Sequence, residues 1–276
     1  MKKLIFLVAL MFAGTMMFAQ QLNKTTVTQS GNSNNADVYQ TTTNGPNKLF
    51  YYQSGNYNEL DTWQEIIDDG SVACAYNYAF GKQSGYANDA MVDQKGHTNR
   101  SYLTQSGTAN QMVLSQYDVL ASTAVDNYAK ATQSGNYNDY DLDQDGHHNV
   151  QKLYQKGNHN EADLDQTAIL SENYSYVYQT GNNNETDLDQ VAVNNNIGAI
   201  NYSYAKQKGD DNTFWAVQSG EYAENTSKLM QSGDDNVTLL FQETWYHNIS
   251  GNTEKGDYNY VKVIQGKWGS TDPWWF

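Results

Sequence analysis

The residues of this chain that could do acid, nucleophilic or metal chemistry are few, apart from its carboxylates. It has five histidines (His97, His147, His148, His159 and His247), a single cysteine, Cys74, and a single arginine, Arg100, against 31 aspartates and glutamates. A hydrolytic triad needs nucleophile, base and orienting acid in mutual hydrogen-bond reach, and no Ser-His-Asp or Cys-His grouping has a context that supplies it. The lone Cys74 excludes an internal disulfide framework and leaves a bystander thiol or an intermolecular crosslink. The carboxylates are more organised. Asp139, Asp141 and Asp143, then Glu161, Asp163 and Asp165, then Glu185, Asp187 and Asp189 each alternate with non-acidic residues, which puts each trio on one face of an extended strand. Such a face suits either solubility or weak divalent-cation binding through Asp141, Asp143, Asp163, Asp165, Asp187 and Asp189. It gives no firm metal site, and no cofactor is expected.

What positions these residues is a repeat. The motif Gln-x-Gly-x-x-Asn opens at Gln29, Gln53, Gln83, Gln105, Gln133, Gln155, Gln179, Gln207 and Gln231, with a variant at Glu254. Eleven residues after each opening stands another glutamine (Gln40, Gln64, Gln94, Gln116, Gln144, Gln166, Gln190, Gln218, Gln242 and Gln265), and six residues before it an asparagine, from Asn23 to Asn248. The link glycine is present in all ten units: Gly31, Gly55, Gly85, Gly107, Gly135, Gly157, Gly181, Gly209, Gly233 and Gly256. Each unit is therefore Asn-x5-Gln, a four-residue link, and Asn-x5-Gln again.

Each half is long enough for a strand of about 23 Å, with side chains alternating between two faces. Positions in phase with Asn and Gln are mostly apolar or small, such as Ala90 and Val92, Ala162 and Leu164, or Ser175 and Val177. That is the pattern of a strand with one buried face, and the link glycine supplies the positive φ of a tight reversal. Two strands cannot bury a core alone, but stacked copies can. The fold expected is all-β: a β-solenoid of ten strand-turn-strand rungs in two parallel, in-register sheets, about 4.8 Å per rung. Stacking brings the amides of Asn127, Gln133, Asn138, Gln144, Asn149, Gln155, Asn160, Gln166, Asn173, Gln179, Asn184 and Gln190 above their copies, where they can pair as hydrogen-bonded ladders. The second link varies from four residues after Gln94 and Gln144 to twelve after Gln64, a tolerance expected at one edge of a solenoid.

The ends read differently. Residues 1–19 have a basic start, Lys2 and Lys3, an apolar run and small residues, the pattern of a secretory signal peptide. Residues 20–266 form the repeat domain and 267–276 an aromatic tail with Trp274, Trp275 and Phe276. Loss of Lys2 and Lys3 leaves 14 basic residues against 31 acids, a balance of −17, which disfavours nucleic acid as a partner. No later stretch approaches the roughly 18 apolar residues of a membrane span.

Outward positions divide the chain further. Tyr128, Tyr154, Tyr174, Tyr176, Tyr178, Tyr202 and Tyr204 interleave with Lys130, Lys152 and Lys206 on the first strand, a stacking ladder or adhesive face. On the second strand, the acidic positions of the middle rungs become Trp215, Val217, Leu239, Phe241, Tyr260 and Ile264 near the C-terminus, an apolar patch suited to lateral fibre pairing or an assembly partner. His97 and His147 fall at equivalent second-link positions two rungs apart, about 9.6 Å, too far to share an ion, and are read as solvated turn residues.

The repeat resembles the curlin repeat of curli fibre subunits, whose units read Ser-x5-Gln, a glycine turn and Asn-x5-Gln. Here Asn23 and its equivalents stand for the family's Ser, the units are more numerous and the second links longer, with the resemblance running from Asn23 to Gln265. It implies a structural subunit and not an enzyme: secreted through a dedicated outer-membrane pore, polymerised with itself outside the cell after contact with a nucleator subunit, and serving biofilm matrix, adhesion and surface aggregation. A monomeric solenoid adhesin or scaffold is the alternative. A β-helical enzyme acting on polysaccharide would carry catalytic carboxylates or arginines that break the repeat at one place, and Arg100 alone does not supply them.

Overall fold

A computed structural model describes residues 23–42, 45–66, 76–117, 126–169, 171–193, 199–221, 224–244 and 248–266. The signal peptide assigned to 1–19, Cys74, His247 and the tail 267–276 lie outside the described residues. Among those described, the structure is all-β, with twenty strands from β1 (Lys24–Ser30) and β2 (Asp37–Thr42) to β19 (Asn248–Lys255) and β20 (Tyr260–Gln265). Odd-numbered strands form one ten-stranded sheet and even-numbered strands the other, each in sequence order. Every neighbour is parallel and in register, glutamine on glutamine except where Gln231 meets Glu254: Gln133 of β9 (Tyr128–Asn136) faces Gln155 of β11 (Asn149–Asn158), and Gln144 of β10 (Asp139–Gly146) faces Gln166 of β12 (Glu161–Ile169). This is the β-solenoid that the repeat spacing implies, with one rung per unit.

The core lies between the sheets as four inward columns, and large side chains stand beside small ones. Tyr51 pairs with Gly81, whose added Cβ would lie 1.6 Å from the Tyr51 ring. Tyr140 sits beside Ala162, and Phe214 between Thr186 and Thr238. A rung height of about 4.8 Å cannot hold two stacked aromatic rings across a dry interior, so each bulky residue borrows space from its neighbour.

The reversals differ from expectation in one respect. In each of the ten first links a non-glycine residue two positions after the positive-φ glycine is left-handed as well, as at Tyr57 (φ 57) and Tyr137 (φ 56). The glycine column itself is tightly determined. A Cβ on Gly135 would stand 1.9 Å from the carbonyl oxygen of Gly157 in the next rung, at a φ of 121°. Rung stacking and backbone handedness thus require glycine together.

Candidate assembly surfaces

The inward amides form ladders of opposite polarity. Glutamine side-chain amides donate toward the C-terminal rung: Gln133 to Gln155 at 2.9 Å, Gln155 to Gln179 at 2.8 Å, Gln144 to Gln166 at 2.9 Å and Gln166 to Gln190 at 2.7 Å. Their second N–H reaches a carbonyl across the core, as from Gln155 to Asp139 O at 3.0 Å. Asparagines donate the other way: Asn160 to Asn138 and Asn184 to Asn160, both at 2.9 Å, and Asn173 to Asn149 at 3.1 Å, while the Asn149 backbone N–H bonds the Asn127 side chain at 3.1 Å. All of these side chains are buried, so a dozen amides that would be costly alone are satisfied by repetition.

Among the described residues, single amide atoms of Asn47, Asn225 and Asn248 lack a partner, and one inward amide is wholly unsatisfied. Gln151 of β11 is buried, yet neither its Nε2 nor its Oε1 has a hydrogen-bond partner. The hydroxyls of the buried Tyr51 and Tyr140 are likewise unpartnered. These residues occupy the apolar columns rather than the ladder columns, and the alternation pattern alone marks Gln151 out.

The acidic grid is present in register: Asp139, Glu161 and Glu185 in one column, Asp141, Asp163 and Asp187 in the next, and Asp143, Asp165 and Asp189 in the third, across β10, β12 and β14 (Glu185–Val193). Partial burial first, and neighbouring carboxylates second, push Asp165 and Asp187 up to about 6. The same causes raise Asp141, Asp143 and Glu161 above the ordinary carboxylate range. The ion pairs among the described residues, Lys95–Glu65 at 3.7 Å and Arg100–Asp126 at 3.6 Å, lie outside the grid. No three His, Cys, Asp or Glu side chains among the described residues converge in a way that could hold a metal ion. The carboxylates are spread over a flat face.

On the other sheet, Tyr154 and Tyr178 have ring centroids 6.3 Å apart, Tyr178 and Tyr204 5.9 Å, and the Lys152 ammonium lies 5.0 Å from the centre of the Tyr176 ring. Farther along the acidic sheet, Trp215 meets Phe241 edge-on at 5.7 Å. Trp215, Tyr260 and Ile264 are exposed, whereas Val217, Leu239 and Phe241 are half-buried. A second aromatic site, not anticipated from the sequence, lies at the opposite end of this sheet. Tyr39 and Trp63 have centroids 4.2 Å apart in an open groove with Asp37, Asp61 and Met91. It occupies the same outward columns as the apolar patch, and extending the column comparison to the first rungs would have found it.

The reading of His97 and His147 as solvated is corrected: they are 2% and 3% exposed. The short second links do not loop away, because pairing continues past the closing glutamine. Gly146 stays in register with Ala168, and the His147 N–H bonds Ala168 O at 2.9 Å. Each link is therefore packed on the rung beside it.

At the C-terminal end the ladder changes chemistry. Glu254 takes the glutamine position, is 5% exposed, and accepts hydrogen bonds from Gln231 at 3.1 Å and from the Thr238 hydroxyl.

Residues 85–117 match the family model of the Curlin associated repeat. No curated protein and no solved structure matches the chain. The matched stretch runs from the glycine of one reversal through both strands of the following rung, and the other rungs repeat its spacing and register. What is shown is therefore a match to the curlin-repeat family over residues 85–117.

Proposed function

We propose that this protein is the structural subunit of a secreted, curli-like amyloid fibre that contributes to extracellular matrix, adhesion and cell-surface aggregation. The observation that carries this reading is the in-register parallel stack itself: β1 and β2 at one end, and β19 and β20 at the other, each have one strand neighbour among the described residues, which leave the outer edge of each unpaired. An open parallel edge templates another strand, and an added copy would continue the same ladders. An outer-membrane pore and a nucleator subunit are the partners this reading calls for.

The test is incubation of the purified chain from Gln20 onward, followed by thioflavin binding and fibre diffraction. Fibres with a meridional reflection near 4.8 Å are expected, and a persistent monomer without that reflection overturns the proposal. The alternative, a monomeric surface adhesin, draws support from one observation: the inward residues of β19 are Ser250, Asn252 and Glu254, more polar than those of the preceding rung. Size-exclusion chromatography across a concentration series separates the two readings.

A further inference from the structure

Assembly, if head to tail, must join β19 and β20 of one copy to β1 and β2 of the next, and the two halves of that junction are chemically unequal. Continuing the register of the stack places Tyr260, Val261, Lys262, Val263, Ile264 and Gln265 opposite Asn35, Ala36, Asp37, Val38, Tyr39 and Gln40 of a second copy, as each β-even strand already meets its neighbour. Inward, Val261 and Val263 meet Ala36 and Val38, so apolar residues face apolar residues. Outward, Ile264 meets Tyr39, and the Lys262 ammonium meets the Asp37 carboxylate. Within one copy Asp37 has only a like charge beside it in its column, Asp61, and Lys262 has the apolar Leu239. Both are exposed, and each lacks the complement that the other would supply.

The ladders can be extended by the same rule. Gln265 already accepts from Gln242 at 2.7 Å and has an amide to donate to Gln40. Asn259 accepts from Asn236 no bond in return but offers its Oδ1 to the next rung, as Asn236 offers its own to Asn259 at 2.7 Å. The Asn248 column is already interrupted inside one copy, since the Asn248 Nδ2 and the Asn225 Oδ1 both lack a partner. Glu254 departs from the rule in its chemistry. Opposite it stands Gln29, whose amide already donates to Gln53 at 2.7 Å, so that the Gln29 Oε1 points to the open edge and asks for a donor. A carboxylate has none. Asn252, meanwhile, would face Val27.

We propose that the β-even half of the terminal rungs is the recognition surface for a second copy of this chain, with Lys262 paired to Asp37, and that Glu254 in the β-odd half opposes the same contact and slows addition. This inference rests on the fibre reading. Charge complementarity sets which ends meet, and the carboxylate sets how fast they close.

The test uses seeded growth of the chain from Gln20 onward at low ionic strength with Lys262→Asp and Asp37→Lys variants. Each variant alone sets like charges against each other at every junction, and elongation should fall about tenfold. An equimolar mixture of the two restores an opposite-charge pair at every junction if copies alternate, and growth should recover to near the wild-type rate, with both variants in the same fibres. Because each variant is its partner's rescuer, recovery also shows that both fold. Glu254→Gln should raise the elongation rate several-fold. A wild-type chain that never forms fibres overturns the fibre reading and this junction together. Wild-type fibres whose growth ignores both reversals, or variants that stay slow when mixed, overturn the junction alone. An unchanged elongation rate for Glu254→Gln overturns the opposing role of that carboxylate.

Discussion

The interior of the solenoid and the outward face of its even-numbered sheet share the same strands and obey different constraints. Inside, Gln144, Gln166 and Gln190 must be identical, because each amide is both donor to the rung on one side and acceptor from the rung on the other. Outside, the residues one position earlier, Asp143, Asp165 and Asp189, give way to Val217 and Phe241 within two further rungs. No hydrogen-bond network has to be kept there. The difference teaches that repetition in this chain is enforced by satisfaction of buried polar groups, while the exposed columns are free to carry charge, aromatic surface or partner contacts.

The strongest break in that comparison is at the reversal glycines. Gly135→Ala sets a Cβ 1.9 Å from a backbone oxygen that has no room to move within a stacked rung. A loss of about 3 kcal/mol or more is expected in denaturant unfolding, whereas Asp141→Ala on the outer face should cost little. Next come the ladders. Gln133→Ala with Gln155→Ala removes adjacent members and leaves the Gln105 donor and the Gln179 acceptor facing a gap. Each orphaned group costs about 1 to 3 kcal/mol, and fibre growth monitored by thioflavin should slow strongly.

The outer face responds to pH instead. Asp165 and Asp187, raised to about 6, hold protons in the stacked state at a pH where the unfolded chain, with carboxyls near 4, has lost them. The folded state therefore binds more protons between these values, and stability falls as pH rises from about 4 to about 6 and is regained on acidification. Assembly should be faster at pH 4.5 than at pH 7. Asp141→Asn, Asp163→Asn and Asp187→Asn together should bring the neutral rate toward the acidic one and flatten the profile between them. An unchanged lag time in the triple variant would show that repulsion across this face does not govern growth.

Much of this architecture was legible in the sequence because its period is strict. Asn, Gln and Gly recur at fixed spacing from Asn23 to Gln265, and only in-register stacking makes those positions equivalent. What spacing does not encode is the third dimension of the links. His97 and His147 follow the closing glutamine where alternation stops being informative, and only the continued pairing of Gly146 with Ala168 reveals that they are packed. The polarity of the ladders was equally hidden, since a glutamine reads the same whichever way its amide points. Glu254 was visible as a variant, but its meaning depends on the direction of donation from Gln231.

The finest form of the comparison lies within one strand and its facing neighbour. Gln155 and Gln151 are both on β11 and both fully buried, four residues apart. Gln155 is in the ladder column, bonded to Gln133, Gln179 and the Asp139 carbonyl. Gln151 lies between Ala129 and Ser175 and makes no hydrogen bond, and the neighbouring Ser175 hydroxyl is unpartnered too, so its amide is desolvated without return. Gln151→Met keeps the length and removes the polar atoms, and should stabilise the chain by about 1 to 3 kcal/mol, whereas Gln155→Met should destabilise it by a similar amount. Tyr140→Phe asks the same question at its smallest scale, because the Tyr140 hydroxyl has no partner and the ring alone fills the space beside Ala162. The expected change is a gain of less than about 1 kcal/mol, read as a shift of the unfolding midpoint at constant slope. A clear loss of stability in Tyr140→Phe would mean that the hydroxyl is bonded in solution, and that the apolar columns tolerate polar groups by a route other than the ladders.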